Sequence, residues 1–222
     1  MTLENEIDNL FSSLADWPKK WEPKKNDEKL YEIYLLALIV DVFIDERWIP
    51  IILDGNENNP PLNFKFRGSP GFLYGNKEYG IIQMYQTTTG KCYEVNLGIQ
   101  IQGKSKIIHE VDVGVYSYEE ADDARCSEYN ILAENVPLAI ECKYYIGTKL
   151  DKSLGRQWLG VSKDIGRNKI RLKGGFVTNS HNIHIKQLLK HHNIDYYETL
   201  LPSNTLLVHD FRKKIKKVVR SL

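Results

Sequence analysis

The sequence predicts an α/β fold, a mixed central sheet flanked by helices. The expected order is helix, inserted segment, three antiparallel strands, helix, strand, helix, strand. Three observations predict it. Residues 93–101, 107–115 and 137–145 are successive short stretches whose polar and apolar residues alternate with the period of a strand. Ahead of them, residues 28–46 are apolar nearly all round, the pattern of a helix buried in a core. After them, helix-period stretches alternate with short apolar runs, as in units that add strands to a sheet through helical crossovers.

Residues 2–17 predict an amphipathic helix. Thr2 can cap it, Leu3, Ile7, Leu10, Phe11 and Leu14 recur at helical spacing, and Pro18 lies just past its end. Asn26-Asp27 opens the core helix, with Leu30, Ile33, Tyr34, Ala37, Leu38, Asp41 and Val42 along one side. Residues 49–53 read as a short strand and 54–61 (DGNENNPP) as a loop. Residues 64–79 hold Arg67-Gly68-Ser69-Pro70-Gly71 between Phe64, Phe66 and Phe72. Such a stretch is most often a tight connection. It also has the parts of a nucleic-acid contact, a cation for phosphate and rings for bases. No Gly-Lys-Ser/Thr follows directly, in residues 72–79, so this stretch is not a phosphate-binding P-loop. Residues 81–85 predict a strand and 87–91 a turn.

In residues 93–101 the odd positions are apolar and the even ones carry Glu94, Asn96 and Gln100. Residues 107–115 repeat the pattern, with His109 the exception on the odd face and Glu110, Asp112 and Gly114 on the even one. Gly103-Lys104-Ser105 supplies the hairpin turn between them. In residues 137–145, Glu141 and Lys143 share one face, and Leu138, Ile140 and Cys142 take the other. Charges in an apolar strand are costly unless paired or bound to a metal. A cross-strand ion pair is the bland account. The alternative is that the polar faces assemble Glu94, Glu110, Asp112, Glu141 and Lys143 into one site.

Between the second and third strands, residues 119–123 (EEADD) predict a solvated loop with a short helix. Asp151 or Ser153 can cap a helix over 154–165, with Leu154, Trp158, Val161 and Ile165 inside and Gly166 at its end. Residues 174–178 predict a buried strand, 182–192 a helix and 194–200 a last strand. His181, His184, His191 and His192 lack matching metal-ligand spacing and fit an exposed, histidine-rich helix. The 205–222 tail is basic, and its residues 211–220 read as a helix, with Phe211, Ile215, Val218 and Val219 on one side, that suits DNA, an acidic partner or the body of the protein.

Asp112 on the second alternating strand and Glu141-Cys142-Lys143 on the third, with 28 residues between Asp112 and Glu141, resemble the motif of the PD-(D/E)XK nuclease superfamily. The residue before Asp112 is Val111 where the motif has proline. The element order over residues 30–200 resembles that family's restriction-endonuclease-like α-β-β-β-α-β core. The resemblance implies a Mg²⁺- or Mn²⁺-dependent deoxyribonuclease. Its metal would be held by Asp112, Glu141 and the Cys142 carbonyl, with Glu94 or Glu110 completing a second position. Lys143 would contact the scissile phosphate and orient or deprotonate the attacking water. The family often adds a glutamate from the first core helix, for which Glu32 has the right place. The plainer reading of Glu32 is a solvated residue of the first turns, favoured by the helix dipole. Gln157 matches a glutamine found after the E-x-K strand, although Val161 stands where a tyrosine often follows. Arg156, Arg67 and Lys163 are candidate nucleic-acid contacts; for Arg156 and Gln157, two exposed helix residues is an equal reading. A homodimer, or a place in a multi-protein restriction or phage-defence system, follows from the resemblance alone.

The 222 residues predict one domain. Its parts are an N-terminal helix segment (1–25), a core helix (28–46), an insertion (54–80), a catalytic core (92–200) and the basic tail (205–222). Cys92, Cys126 and Cys142 are too few and scattered for a disulfide framework or zinc ribbon. The absence of a signal-peptide pattern or membrane-spanning run predicts a cytoplasmic protein with no membrane partner. Net charge is only +1, but residues 143–222 hold 17 Lys/Arg against 5 Asp/Glu, while residues 1–142 hold 13 against 24. An acidic half joined to a basic half suits a metal site beside a phosphate-binding surface; segregated solvated charges are the plain alternative. Two further functions stay open: a non-catalytic nucleic-acid-binding or assembly subunit, and a hydrolase of another phosphate ester.

Overall fold

A computed structural model describes residues 2–12, 14, 17, 26–55, 58, 64–74, 79–146, 150–166 and 175–222. Pro18, Gly174 and most of the 54–61 loop lie outside the described residues.

Thr2 caps α1 (Leu3–Phe11) by accepting from the Asn5 amide. The helix stops short of the expected residue 17. The Ser12 hydroxyl donates to the Asn9 carbonyl, and Trp17 stacks on Phe11 with ring centroids 3.9 Å apart. Serine offers the backbone a local partner, and the aromatic stack rewards the turn. Asn26 caps α2 (Asp27–Asp45), accepting from the Glu28 amide. This helix is buried on every side because the sheet covers one face and α1 and α6 (Thr205–Val219) cover the others.

The strands are β1 (Ile49–Leu53), β2 (Ile81–Gln86), β3 (Lys91–Gln102), β4 (Ile108–Ser117), β5 (Ile131–Leu132), β6 (Leu138–Lys143), β7 (Gly175–Thr178) and β8 (Asp195–Tyr197). They form one sheet in the order β1-β2-β3-β4-β6-β7-β8, with β5 beside β3. Pairing is antiparallel from β1 to β6 and parallel from β6 to β8. The parallel steps run through α4 (Lys152–Ile165) and α5 (Ile183–His191), as helical crossovers require. The mixed sheet and its flanking helices are those the sequence predicts. The acidic 119–123 stretch forms a full helix, α3 (Tyr118–Ser127). Ser117 caps it, and Glu119 and Glu120 sit in its first turn, where the helix dipole favours them. β5 has no counterpart in the sequence reading, since two residues are too few to show alternation.

Two apolar layers lie on either side of the sheet. One packs α1, α2 and α6 against it, and the other packs α3, α4 and α5. The odd residues of β3 do not all enter one layer. Val95 and Leu97 join the α2 side, whereas Ile99 and Ile101 join the α4 side. In β4, Val113 and Val115 likewise part from Val111. The change falls at Gly98, whose φ of 58° puts it in the left-handed region open to glycine. A Cβ there would also press the Ser69 carbonyl oxygen at 3.4 Å.

The basic tail lies against the body. Arg212 pairs with Asp41 and Asp45, Lys214 with Asp195, and both Lys216 and Arg220 with Glu46. Phe211, Ile215, Val218 and Val219 fill the layer beside α2. All three cysteines are free. Among the described residues no helix is long and apolar enough to cross a membrane.

Candidate functional site

β4 and β6 pair from Val115↔Leu138 to Val113↔Ile140, and the ladder ends there. One residue further, Asp112 takes over the task of a ladder partner. Its Oδ2 accepts the Cys142 amide at 2.6 Å. An otherwise unpaired buried N–H is thereby satisfied, and the carboxylate is fixed at the fork between the strands. The alternation of β6 sends Cys142 into the α2-side core and Glu141 and Lys143 together to the polar side. Lys143 Nζ lies 2.8 Å from Glu141 Oε1 and 3.5 Å from Asp112 Oδ2. Asp112 is 6 % exposed, which limits how far water can screen it.

These groups open into a cleft of about 410 Å³ between the start of α2 and the first turns of α4. Glu28, Lys29 and Glu32 enter from α2, Glu110 and Asp112 from β4, and Gln157, Trp158 and Val161 from α4. Gly68 and Pro70 of the insertion close the remaining side. Five carboxylates thus meet two ammoniums, an excess of three negative charges in one partly dry space.

That excess sets the proton affinities. Burial, then Asp112, raises the Glu141 carboxyl from 4.5 to about 7, against the pull of Lys143. Burial, then Asp112, likewise raises Glu32 to about 7, despite its ion pair with Lys29. Glu110 is raised by burial and by Asp112. Burial alone would pull the Lys143 ammonium down; Asp112 and Glu141 push it up and win, so it stays charged. Each effect has the sign expected of clustered carboxylates short of cations.

The structure brings Asp112, Glu141, Lys143, Glu110 and Gln157 to this cleft. The Cys142 backbone is there and its thiol is not. Glu94 is elsewhere. It is fully buried, gripped by both Arg125 terminal nitrogens at 2.8 and 2.9 Å, and approached by the Gln83 and Asn96 amides. The register sets Glu94 opposite Tyr116, four residues along β4 from Asp112, and the switch of faces at Gly98 separates the two further. Arg67 is also buried, 4.6 Å above the Tyr79 ring, and faces a different cavity. Arg156 and Lys163 are exposed on α4 outside the cleft. His109, the odd residue of its strand, bonds to Asp164 at 2.6 Å, and Ser105 bonds to the same carboxylate, so they tie the β3–β4 turn to the end of α4.

Glu32 corrects the plainer sequence reading. It is 7 % exposed and faces Asp112 across the cleft. The signal was available: the apolar run of α2 begins at Leu30, so Glu32 is a charge inside a buried run, as Glu141 is in β6. Lys29, its partner, had no such signal. Among the described residues no three carboxylate, imidazole or thiol side chains stand close enough together to coordinate one ion. Lys143 occupies the space between Asp112 and Glu141. No family model, curated protein or solved structure matches this chain.

Proposed function

We propose that this protein hydrolyses phosphodiester bonds of DNA with the help of Mg²⁺ or Mn²⁺. The observation that carries the reading is the fork of β4 and β6, where Asp112 accepts the Cys142 amide and Lys143 reaches both Asp112 and Glu141. The donor set suits a hard divalent cation, since oxygen ligands predominate and the cleft has a surplus of negative charge. Asp112 and Glu141 would hold it, with the Cys142 carbonyl as a further ligand and Glu110 beside them. Bound there, the ion supplies a charge sink for the pentacovalent phosphorus and an acidified water.

The chain's own groups do the rest. Lys143 stays an ammonium, so it serves as a donor that holds a phosphate oxygen or the attacking water, not as a base. Gln157 offers an amide from the opposite wall. Arg156 and Lys163 on exposed α4 lie on the chain's basic half, which suits the flanking phosphates of a long polyanion. A preference for DNA over smaller phosphate esters rests on that surface and on the resemblance to the PD-(D/E)XK superfamily. The restriction-endonuclease-like identity of the fold, a homodimer and a defence role belong to the same proposal.

The test is incubation of supercoiled, linear and single-stranded DNA with the protein in Mg²⁺ or Mn²⁺, beside Asp112→Asn and Lys143→Met. Cleavage should require the ion and fall by about 100-fold or more in both variants, the scale of losing one preorganised electrostatic group. If no substrate is cut while DNA still binds, the cleft is not a nuclease site and a binding or assembly role takes its place.

A further inference from the structure

A second cavity, of about 310 Å³, lies between the insertion and the β2–β3 part of the sheet. Phe64, Tyr74 and Tyr79 supply aromatic rings to its wall, Asn96 and Asp122 supply polar groups, and Arg67 lines one side. The Arg67 side chain is 8 % exposed. Among the described residues it has no hydrogen bond or ion pair; its one partner is the Tyr79 ring. Burial depresses its pKa, and only tyrosines oppose that. A guanidinium walled in by protein without an anion is costly, because its N–H donors face the cavity with fewer waters and no charged partner.

The backbone is shaped to hold it there. A Cβ at Gly71 would meet Arg67 Nη1 at 2.5 Å, and one at Gly98 would meet its Cδ at 3.5 Å. Gly71 is itself locked to β3, donating to the Gly98 carbonyl at 2.9 Å and accepting from the Gln100 amide at 3.0 Å. A residue kept at this cost, aimed into a cavity walled by aromatic rings, lacks its anion.

We infer that this cavity is a nucleotide site, independent of the acidic cleft, in which Arg67 takes the phosphate and the aromatic wall takes the base. The guanidinium fork matches phosphate oxygens bidentately, and aromatic faces stack any base. Asn96 turns its amide nitrogen to Glu94, and among the described residues nothing donates to its side-chain carbonyl, which can accept from a base edge. The volume, at the lower end of the roughly 300–1,000 Å³ of small-molecule sites, suits one nucleotide and not a duplex. The Arg67–Pro70 segment is the wall between the two cavities: Arg67 faces this one, and Gly68 and Pro70 face the acidic cleft.

Isothermal titration of the full chain in EDTA with each of the four common ribonucleoside monophosphates, the matching nucleosides and inorganic phosphate tests this. At least one monophosphate should bind saturably, and at least tenfold more tightly than its nucleoside and than phosphate. Arg67→Met should weaken that binding at least tenfold while leaving the thermal midpoint unchanged or higher, since it removes an uncompensated buried charge. Arg67→Lys should fall between the two, and Lys143→Met should bind as the wild type does. The inference is overturned if no monophosphate saturates at millimolar concentration, if phosphate alone binds as tightly, or if Arg67→Met binds normally. It is equally overturned if Arg67→Met melts earlier and Arg67→Lys restores the midpoint without affecting binding, which would make Arg67 a packing residue. Loss of binding in Lys143→Met would place the ligand in the acidic cleft instead. Because the titration is run without divalent ions or DNA, its outcome is separate from that of the cleavage assay.

Discussion

Glu141→Gln should change the pH dependence of stability more than stability itself. Glu141 has a folded pKa of about 7 against an ordinary 4.5, so the folded state holds its proton more tightly than the unfolded state does. Between those values the native chain binds more protons, and unfolding free energy falls as pH rises. Integrating over a 2.5-unit shift gives a cost of about 1 kcal/mol at pH 5 and about 3 kcal/mol at pH 8. The pull of Lys143 is already inside that shift. Glutamine has the shape of the carboxyl and no proton to lose. The stability difference between variant and wild type should therefore move by about 2 to 3 kcal/mol in favour of the variant between pH 5 and pH 8. For a chain of this length that is about 5–10 °C in melting temperature. Denaturant titrations of both proteins in EDTA at the two pH values measure it. A difference that stays constant, or that moves the other way, would refute the claim that an excess of buried negative charge dominates the cleft.

Two further outcomes follow from the same geometry. Millimolar Mg²⁺ or Mn²⁺ at pH 8 should raise the wild-type melting temperature by several degrees, because an ion bound only by the folded state stabilises it by mass action; Asp112→Asn should lose most of that rise in the same thermal scan. Arg125→Met should destabilise by about 3–5 kcal/mol in urea titration, since it strands the fully buried Glu94 without its partner. The double variant Arg125→Met/Glu94→Gln should recover much of that loss.

Local chemistry made much of the fold legible. Thr2, Asn26 and Asp151 cap helices because their side chains accept the free amides of the first turn, and Gly166 ends α4 at a φ of 73°. The strands are legible because alternation records which side of a sheet is dry. The same reasoning placed Glu141 and Lys143 on one face and Cys142 on the other, since the geometry of a single strand decides that. Asp112 was legible as a charge in an apolar strand.

Other features depend on contacts between segments far apart in the chain. Glu94 had the same alternating signature as Asp112, yet it became the partner of Arg125. The difference lies in the register, which sets Glu94 opposite Tyr116, and at Gly98, where β3 and β4 change the side on which their odd residues pack. Arg67 read as a candidate nucleic-acid contact in a tight connection and is buried because the insertion folds back onto β3. The basic tail had three possible partners and took the body, through carboxylates on α2, α2's cap and β8. The sequence by itself determined most of the helices and strands and, in β6, which charges share a face. Only the tertiary structure decided which of those charges meet, because Coulomb energy and desolvation depend on distance and on what covers a group. Neither is set until the sheet has twisted and its layers have closed.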